Sequence, residues 1–198
     1  MSTIGARSTL GVPRAIADAG TRVLRDRSEE RRLSEAVSRH FAVVWRSLRR
    51  FGVPEGAADD AAQHVFMTFA ARLSSVDAEH ERAFLASTAV RVAANVRRQL
   101  ERARETPLAD IETEPAAEGT PEELLEEKRR RAALDEALGA LPFDQRTVFV
   151  LFELEGFTLP EIARSLEVPL GTATSRLLRA RRRFEDWIHS RQPKVEEP

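Results

Sequence analysis

Residues 158–183 read TLPEIARSLEVPLGTATSRLLRARRR, and the order of caps, breaks and charges in that stretch decides the fold. Thr158 and Glu161 are spaced as a capping box, with Pro160 in the first turn, where a missing N–H costs nothing. Ile162, Ala163 and Leu166 then line the inner face of a short helix, and a tight break follows over residues 168–171. The next helix carries Ala173, Leu177, Ala180, Phe184, Trp187 and Ile188 on its inward face, leaving Thr172, Ser175, Arg176, Arg179, Arg182 and Arg183 on the others. Two helices joined by a short turn, the second opening in small polar residues and continuing in arginines, make a helix-turn-helix. Small residues at Gly171, Thr172 and Ser175 let a backbone come close to DNA, and the unpaired amides and dipole of a helix start favour a phosphate there. The arginines then reach phosphates and base edges. A run of arginines alone is ordinarily a solvated helix face; the capped helix and the turn before it are what change the reading.

Working upstream, Val148, Phe149, Leu151 and Phe152 form another helical stripe that Gly156 is placed to end, with Leu141 and Pro142 punctuating before it. Before that, Thr120, Pro121 and Glu123 supply a cap, a first-turn proline and a capping-box acid, launching a helix to about Leu138. Residues 106–121 hold Pro107, Pro115 and Pro121 among acids and few large apolar groups, so they read as an extended acidic linker. Three further amphipathic stripes precede it. The first is Leu33, Ala36, Val37, Phe41, Val44, Trp45 and Leu48; the second Ala58, Ala61, Ala62, Val65, Phe66, Phe69 and Leu73; the third Phe84, Leu85, Thr88, Ala89, Val92, Ala93 and Val96. Gly52 and Pro54 separate the first two. No run alternates as a strand does. The expected architecture is therefore all-α: a basic, mobile arm over residues 1–32 with room for a short helix from about Pro13 to Arg27, a helical domain over 33–105, the linker over 106–121, a second helical domain over 122–190 and a tail over 191–198.

The absence of cysteine excludes disulfides, thiolate metal sites and cysteine nucleophiles, and nothing hints at an oxidising compartment. No apolar run approaches the length of a signal peptide or a membrane span, so a cytoplasmic protein is expected. The net charge of -1 conceals a sorting of charge along the chain. Residues 85–104 hold five arginines against Glu101, residues 164–183 six against Glu167, and residues 105–127 nine acids with no base. Lys128 and Lys194 are the only lysines, so the cations are guanidinium groups suited to phosphate and guanine, a bias that a GC-rich genome would also produce.

The segments ALGALP (137–142), DQR (144–146), FELEGFTLPEI (152–162) and PLGTATSRLLRAR (169–181) resemble region four of extracytoplasmic-function (ECF) sigma factors of the sigma-70 family, with GTATSRLLRAR the most specific part. That resemblance implies promoter -35 element contacts at Gly171, Thr172, Ser175, Arg176, Arg179 and Arg182. ADDAAQHVF (58–66) is similar to the family's region-two helix that docks on the beta-prime clamp helices of core RNA polymerase, which implies core-binding roles for Asp59, Asp60, Gln63, His64 and Phe66; His64 replaces the usual acid. Residues 84–102 resemble the helix that reads the -10 element, implying DNA contacts at Arg91, Asn95, Arg97, Arg98 and Arg102. Arg91 stands where the family commonly has asparagine, and Asn95 where it commonly has aspartate. Residues 74–81 fall where the family captures a base flipped from the non-template strand, and Ser75, Asp77 and His80 suit hydrogen bonding to a splayed base. A plain surface loop fits the same residues.

By the same resemblance the linker threads core polymerase toward the RNA exit path, region four meets the beta flap, and an anti-sigma factor is implied as a further partner. No cofactor and no small-molecule substrate are expected. Three other readings compete. His40, His64, His80 and His189 are dispersed and no phosphate-cradling glycine loop occurs, which leaves an enzyme little support. A stand-alone helix-turn-helix regulator would use the same C-terminal module without polymerase. A response-regulator output domain shares part of the core pattern but carries a Thr-Val-x-x-His recognition helix that is absent here.

Overall fold

The computed structural model describes residues 14–103 and 121–191, which form helices and turns with no strand among them. Helix α1 (Arg14–Arg50) is followed by α2 (Glu55–Ala70), two short 3-10 turns (Leu73–Ser75 and Ala78–His80) and α3 (Glu81–Ala103). The second module holds α4 (Pro121–Gly139), α5 (Phe143–Phe149) continuing into a π-helical turn (Val150–Leu154), α6 (Leu159–Ser165) and α7 (Leu170–Arg191). No helix is long and apolar enough to cross a membrane among the described residues.

The boundary expected at Leu33 is no break in the backbone. Helix α1 starts at Arg14 and passes through it, so residues 14–32 extend a helix and are not an irregular arm. The stretch is rich in alanine and arginine, which propagate helix well, and the helix runs through Gly20 to stop just before Gly52 and Pro54. Residues 1–13, the linker up to Thr120 with its expected cap, and residues 192–198 lie outside the described residues.

Helix α1 closes as a Schellman motif: the Val53 amide donates to Leu48 O at 3.0 Å and the Gly52 amide to Arg49 O at 2.9 Å. Gly52 adopts φ 97°, a region that penalises a Cβ. A Cβ there would also lie 2.6 Å from Nη1 of Arg146, which arrives from the second module and donates to the carbonyls of Gly139 and Leu141.

The three stripes of the first module bury as their spacing predicts, with Leu48, Phe69 and Leu85 at or below 1% exposure. Each such side chain contributes about 1.5–3 kcal/mol of transfer free energy. Phe41 departs from its stripe: it is 40% exposed and stacks on Phe66 from outside, with ring centroids 6.2 Å apart. In the second module α5 and α7 pack through Phe149 and Phe184, whose centroids lie 4.8 Å apart. Ala173, Leu177 and Ala180 are buried as expected, Phe184 and Trp187 are half-buried, and Ile188 is 38% exposed because α7 has by then run past its neighbours.

The two modules pack against each other, and a single set of buried side chains runs from one into the other. The contact is made by α3 against α6 and by the segment around Glu155 against α1 and α3. Arg50 Nη1 donates to Glu155 Oε1 at 2.8 Å, and the Glu155 side chain is only 9% exposed. Arg82 donates to the Glu155 carbonyl and lies over the Phe157 ring at 4.3 Å.

Candidate nucleic-acid interface

The helix-turn-helix assembles from local chemistry. Thr158 caps α6 in a complete capping box: its amide donates to Glu161 Oε2 at 2.7 Å, and the Glu161 amide donates back to Thr158 Oγ1 at 3.4 Å. The Thr158 hydroxyl, which donates to the same Oε2 at 2.7 Å, and then the Thr158 amide favour the charged carboxylate and hold Glu161 below its ordinary pKa. The turn falls slightly earlier than spacing indicates. Glu167 is the left-handed residue at φ 55°, Val168 donates to Ala163 O at 3.0 Å, and α7 has already begun at Leu170.

Gly171 therefore sits inside the first turn of α7, not in the break. A Cβ there would meet nothing within 4 Å, so the small residue answers to no neighbour among the described residues. The amides of Thr172 and Ala173 both donate to Pro169 O, at 2.9 and 3.1 Å, so only those of Leu170 and Gly171 are placed to meet an external phosphate. Along α7, Ser175 donates to Thr172 O at 3.0 Å and accepts from Arg179 at 3.4 Å. Arg176 pairs with Asp144 of α5 at 3.2 Å, whereas Arg179, Arg182 and Arg183 are exposed.

The basic face of α3 is arranged differently. Arg91 pairs with Glu167 of the helix-turn-helix turn at 2.8 Å, both side chains remaining largely exposed. Arg97 pairs with Glu101 at 2.7 Å and lies 5.6 Å from the centre of the Phe143 ring of the second module. Arg98 donates to the Asn95 side chain, and Arg102 is exposed. Ahead of α3, Leu73 and Val76 point into the core while Ser74, Ser75, Asp77, Glu79 and His80 face outward. His80 Nδ1 stands 3.9 Å from Asp77 Oδ2.

On α2, Asp59, Asp60, Gln63 and His64 are exposed together, and Asp59 accepts from the Trp45 indole N–H at 2.9 Å. Phe66 does not join them. It is 7% exposed and belongs to the core, whereas its apolar neighbours Phe41 and Met67 are exposed, the latter 63%. Sequence periodicity had no signal for Glu155, Phe157 or Glu167 as partners of first-module arginines, because each lies at a helix end or in a turn.

Among the described residues there is no group of three or more His, Cys, Asp or Glu side chains able to hold a metal ion. The surface these residues make is one of guanidinium groups, carboxylates and hydroxyls suited to binding, with the cations grouped on α3 and α7.

Residues 131–184 match the family model described as Sigma-70, region 4. The chain is 28% identical over 155 residues to the ECF RNA polymerase sigma factor SigE of Mycolicibacterium smegmatis, covering 78% of this chain and 60% of that protein. It is 29% identical over 164 residues to the RNA polymerase sigma factor CnrH of Cupriavidus metallidurans, covering 77% and 84% respectively. Among solved structures, CnrH in complex with the cytosolic domain of CnrY superimposes with a TM-score of 0.62 at 24% identity, over 82% of this chain and 91% of that one. The sigma factor RpoE of Bartonella quintana, in complex with the anti-sigma factor NepR, gives 0.62 at 19% identity, over 80% and 98%. At those identities the structural likeness speaks for the fold.

Proposed function

We propose that this chain is a sigma factor of the sigma-70 family, in its extracytoplasmic-function branch, which binds core RNA polymerase and directs it to a particular set of promoters. The observation that carries the reading is the coincidence of the region-four match with a capped helix-turn-helix whose exposed arginines and sterically free Gly171 face outward. Region four would take the -35 element through Gly171, Thr172, Ser175, Arg176, Arg179 and Arg182. Helix α3 and the loop before it would take the -10 element, and the exposed face of α2, with Asp60, Gln63 and Met67, would dock on polymerase. The chain acts by binding and placing the polymerase, whose chemistry remains that of the core enzyme. CnrH and the Bartonella protein were solved with CnrY and NepR bound, which supports an anti-sigma partner for this chain too.

The packed arrangement adds a condition. Elements centred about 25 base pairs apart lie roughly 85 Å apart along B-form DNA at 3.4 Å per base pair. Yet Arg91 of α3 touches Glu167 of the helix-turn-helix turn. Both elements can be read at once only if the modules separate. Seventeen residues separate Ala103 from Pro121, enough to span about 60 Å when extended.

Reconstituted transcription tests the reading: purified core polymerase plus this chain should initiate at discrete start sites that core alone does not use. A chain that retards promoter fragments by itself yet never associates with core polymerase would instead be a stand-alone regulator.

A further inference from the structure

Residue 32 closes the stretch expected to be a mobile arm, and the structure gives it a fixed task. One guanidinium on α1 reaches three acceptors around the loop that leads into α3. Arg32 Nε donates to Glu81 Oε1 at 2.7 Å, Nη1 donates to Leu73 O at 3.0 Å, and Nη2 donates to Val76 O. Glu81 is the first residue of α3, and its side chain is only 6% exposed. A buried carboxylate needs a partner, and a planar fork of donors can satisfy it together with two backbone carbonyls, which a lysine ammonium cannot do in the same geometry.

The arrangement divides the loop into an inner and an outer side. Leu73 and Val76 are buried, and their carbonyls are the ones Arg32 holds, while Ser75, Asp77 and His80 between and beyond them face solvent. The loop has few backbone bonds of its own, Ser75 N–H to Arg72 O and His80 N–H to Asp77 O, each at 2.9 Å, and Glu81 N–H to Ala78 O, so the carbonyl of buried Val76 is held by Arg32. We propose that Arg32 is a positioning residue for base selection: by clamping Leu73, Val76 and Glu81 it holds residues 74–80 in one shape, so that their outward side chains discriminate among bases offered to them. A loop already ordered gives up less conformational freedom on binding, and its donors and acceptors stay at fixed separations, which is what selectivity between bases requires. The proposal rests on the reading of this loop as part of the -10 interface.

The test uses the full chain with core polymerase and promoter DNA carrying each of the four bases, in turn, at the unpaired -10 positions. Arg32→Lys retains the charge and loses the fork. The double variant Arg32→Met with Glu81→Leu removes both charges, so that no carboxylate is left buried and alone. The expected result is that the spread of open-complex formation among the four bases narrows about fivefold in the double variant and by less in Arg32→Lys, with core affinity within about twofold of the unchanged chain. Hydrogen exchange of residues 73–80 should quicken in parallel. An unchanged spread alongside quickened exchange would overturn the proposal, as would a fall in core affinity that accounts for all lost activity, since that is what mere destabilisation produces. Ser75→Ala, Asp77→Ala and His80→Ala in an otherwise unchanged chain separate the two levels: if none alters base preference, the loop is no base-reading element and the underlying assignment fails with the proposal.

Discussion

The basic faces of α3 and α7 look alike in sequence and differ in what their arginines are doing. On α7, Arg179, Arg182 and Arg183 stand exposed, and the glycine ahead of them has empty space before it. On α3, Arg91 pairs with Glu167, Arg97 pairs with Glu101 beside Phe143, and Arg98 donates to Asn95. Arg179, Arg182 and Arg183 are open to solvent, whereas Arg91, Arg97 and Arg98 are engaged by protein partners. An arginine count therefore ranks the two faces as equals, and the structure does not.

The largest effect should come from the open face. Arg179→Ala combined with Arg182→Ala should weaken binding to DNA containing the -35 element by roughly 10- to 100-fold while the melting temperature stays put, because no core contact is lost. Fluorescence anisotropy on promoter duplexes beside a thermal melt checks both halves, and an equal fall on unrelated duplexes would reduce these residues to phosphate contacts. The salt dependence of that binding should become shallower in the same variant.

A second effect should come from the seam between the modules. Glu155→Ala leaves Arg50 without its acid and should destabilise the packed arrangement by about 1–3 kcal/mol, given how little of Glu155 is exposed. Exchange of amides in α3 and α6 should quicken while the interior of α1 stays protected. Uniform quickening would mean that the modules unfold as one unit.

A pH effect should be smaller. His40 lines a small cavity at the seam with Arg82, Leu151, Glu155 and Phe157. Burial, then the nearby Arg39 and Arg82, hold its imidazole below the ordinary value of 6.5, and Glu81 opposes them. Since the unfolded chain binds this proton more readily, stability should be full above the ordinary imidazole range and should decline as the solution passes from about pH 7 to about pH 5. His40→Gln should flatten that part of the curve in denaturant titrations; an unchanged slope would assign the decline to other groups.

The smallest effect belongs to Arg91. Its pair with Glu167 is largely exposed on both sides, so Arg91→Asn should cost at most about 1 kcal/mol of stability, less at high salt. If the same change raises affinity for -10 DNA, the arginine serves the packed form more than the DNA-bound one.

These contrasts separate local patterns from long-range ones. The helices, their order and the capping box at Thr158 and Glu161 were legible in the sequence because each is a matter of nearby spacing and cap chemistry. The family resemblance was legible for the same reason, since its motifs are short runs within one helix or across one turn. The seam was not. Periodicity says which face of a helix is apolar but not what an outward arginine such as Arg50 or Arg82 will meet, and Glu155 and Phe157 sit where one helix ends and regular spacing stops. Phe66 was assigned to an outer surface from a motif although it continues the stripe of Ala62 and Val65, and Arg32 fell on the wrong side of a boundary drawn from charge.

The turn at Val150–Leu154 carries one more implication. Its wider winding, closed by the Glu155 amide donating to Val150 O at 3.0 Å, gives the chain an extra residue before Gly156. Ordinary α-helical winding of the same residues would rotate the segment from Glu155 onward by about 100°, the angle of one residue. Glu155 and Phe157 would then swing off α1 and α3, while the helix-turn-helix downstream kept its own local bonds. The two modules are thus joined through a mechanical phase set by how this one turn is wound.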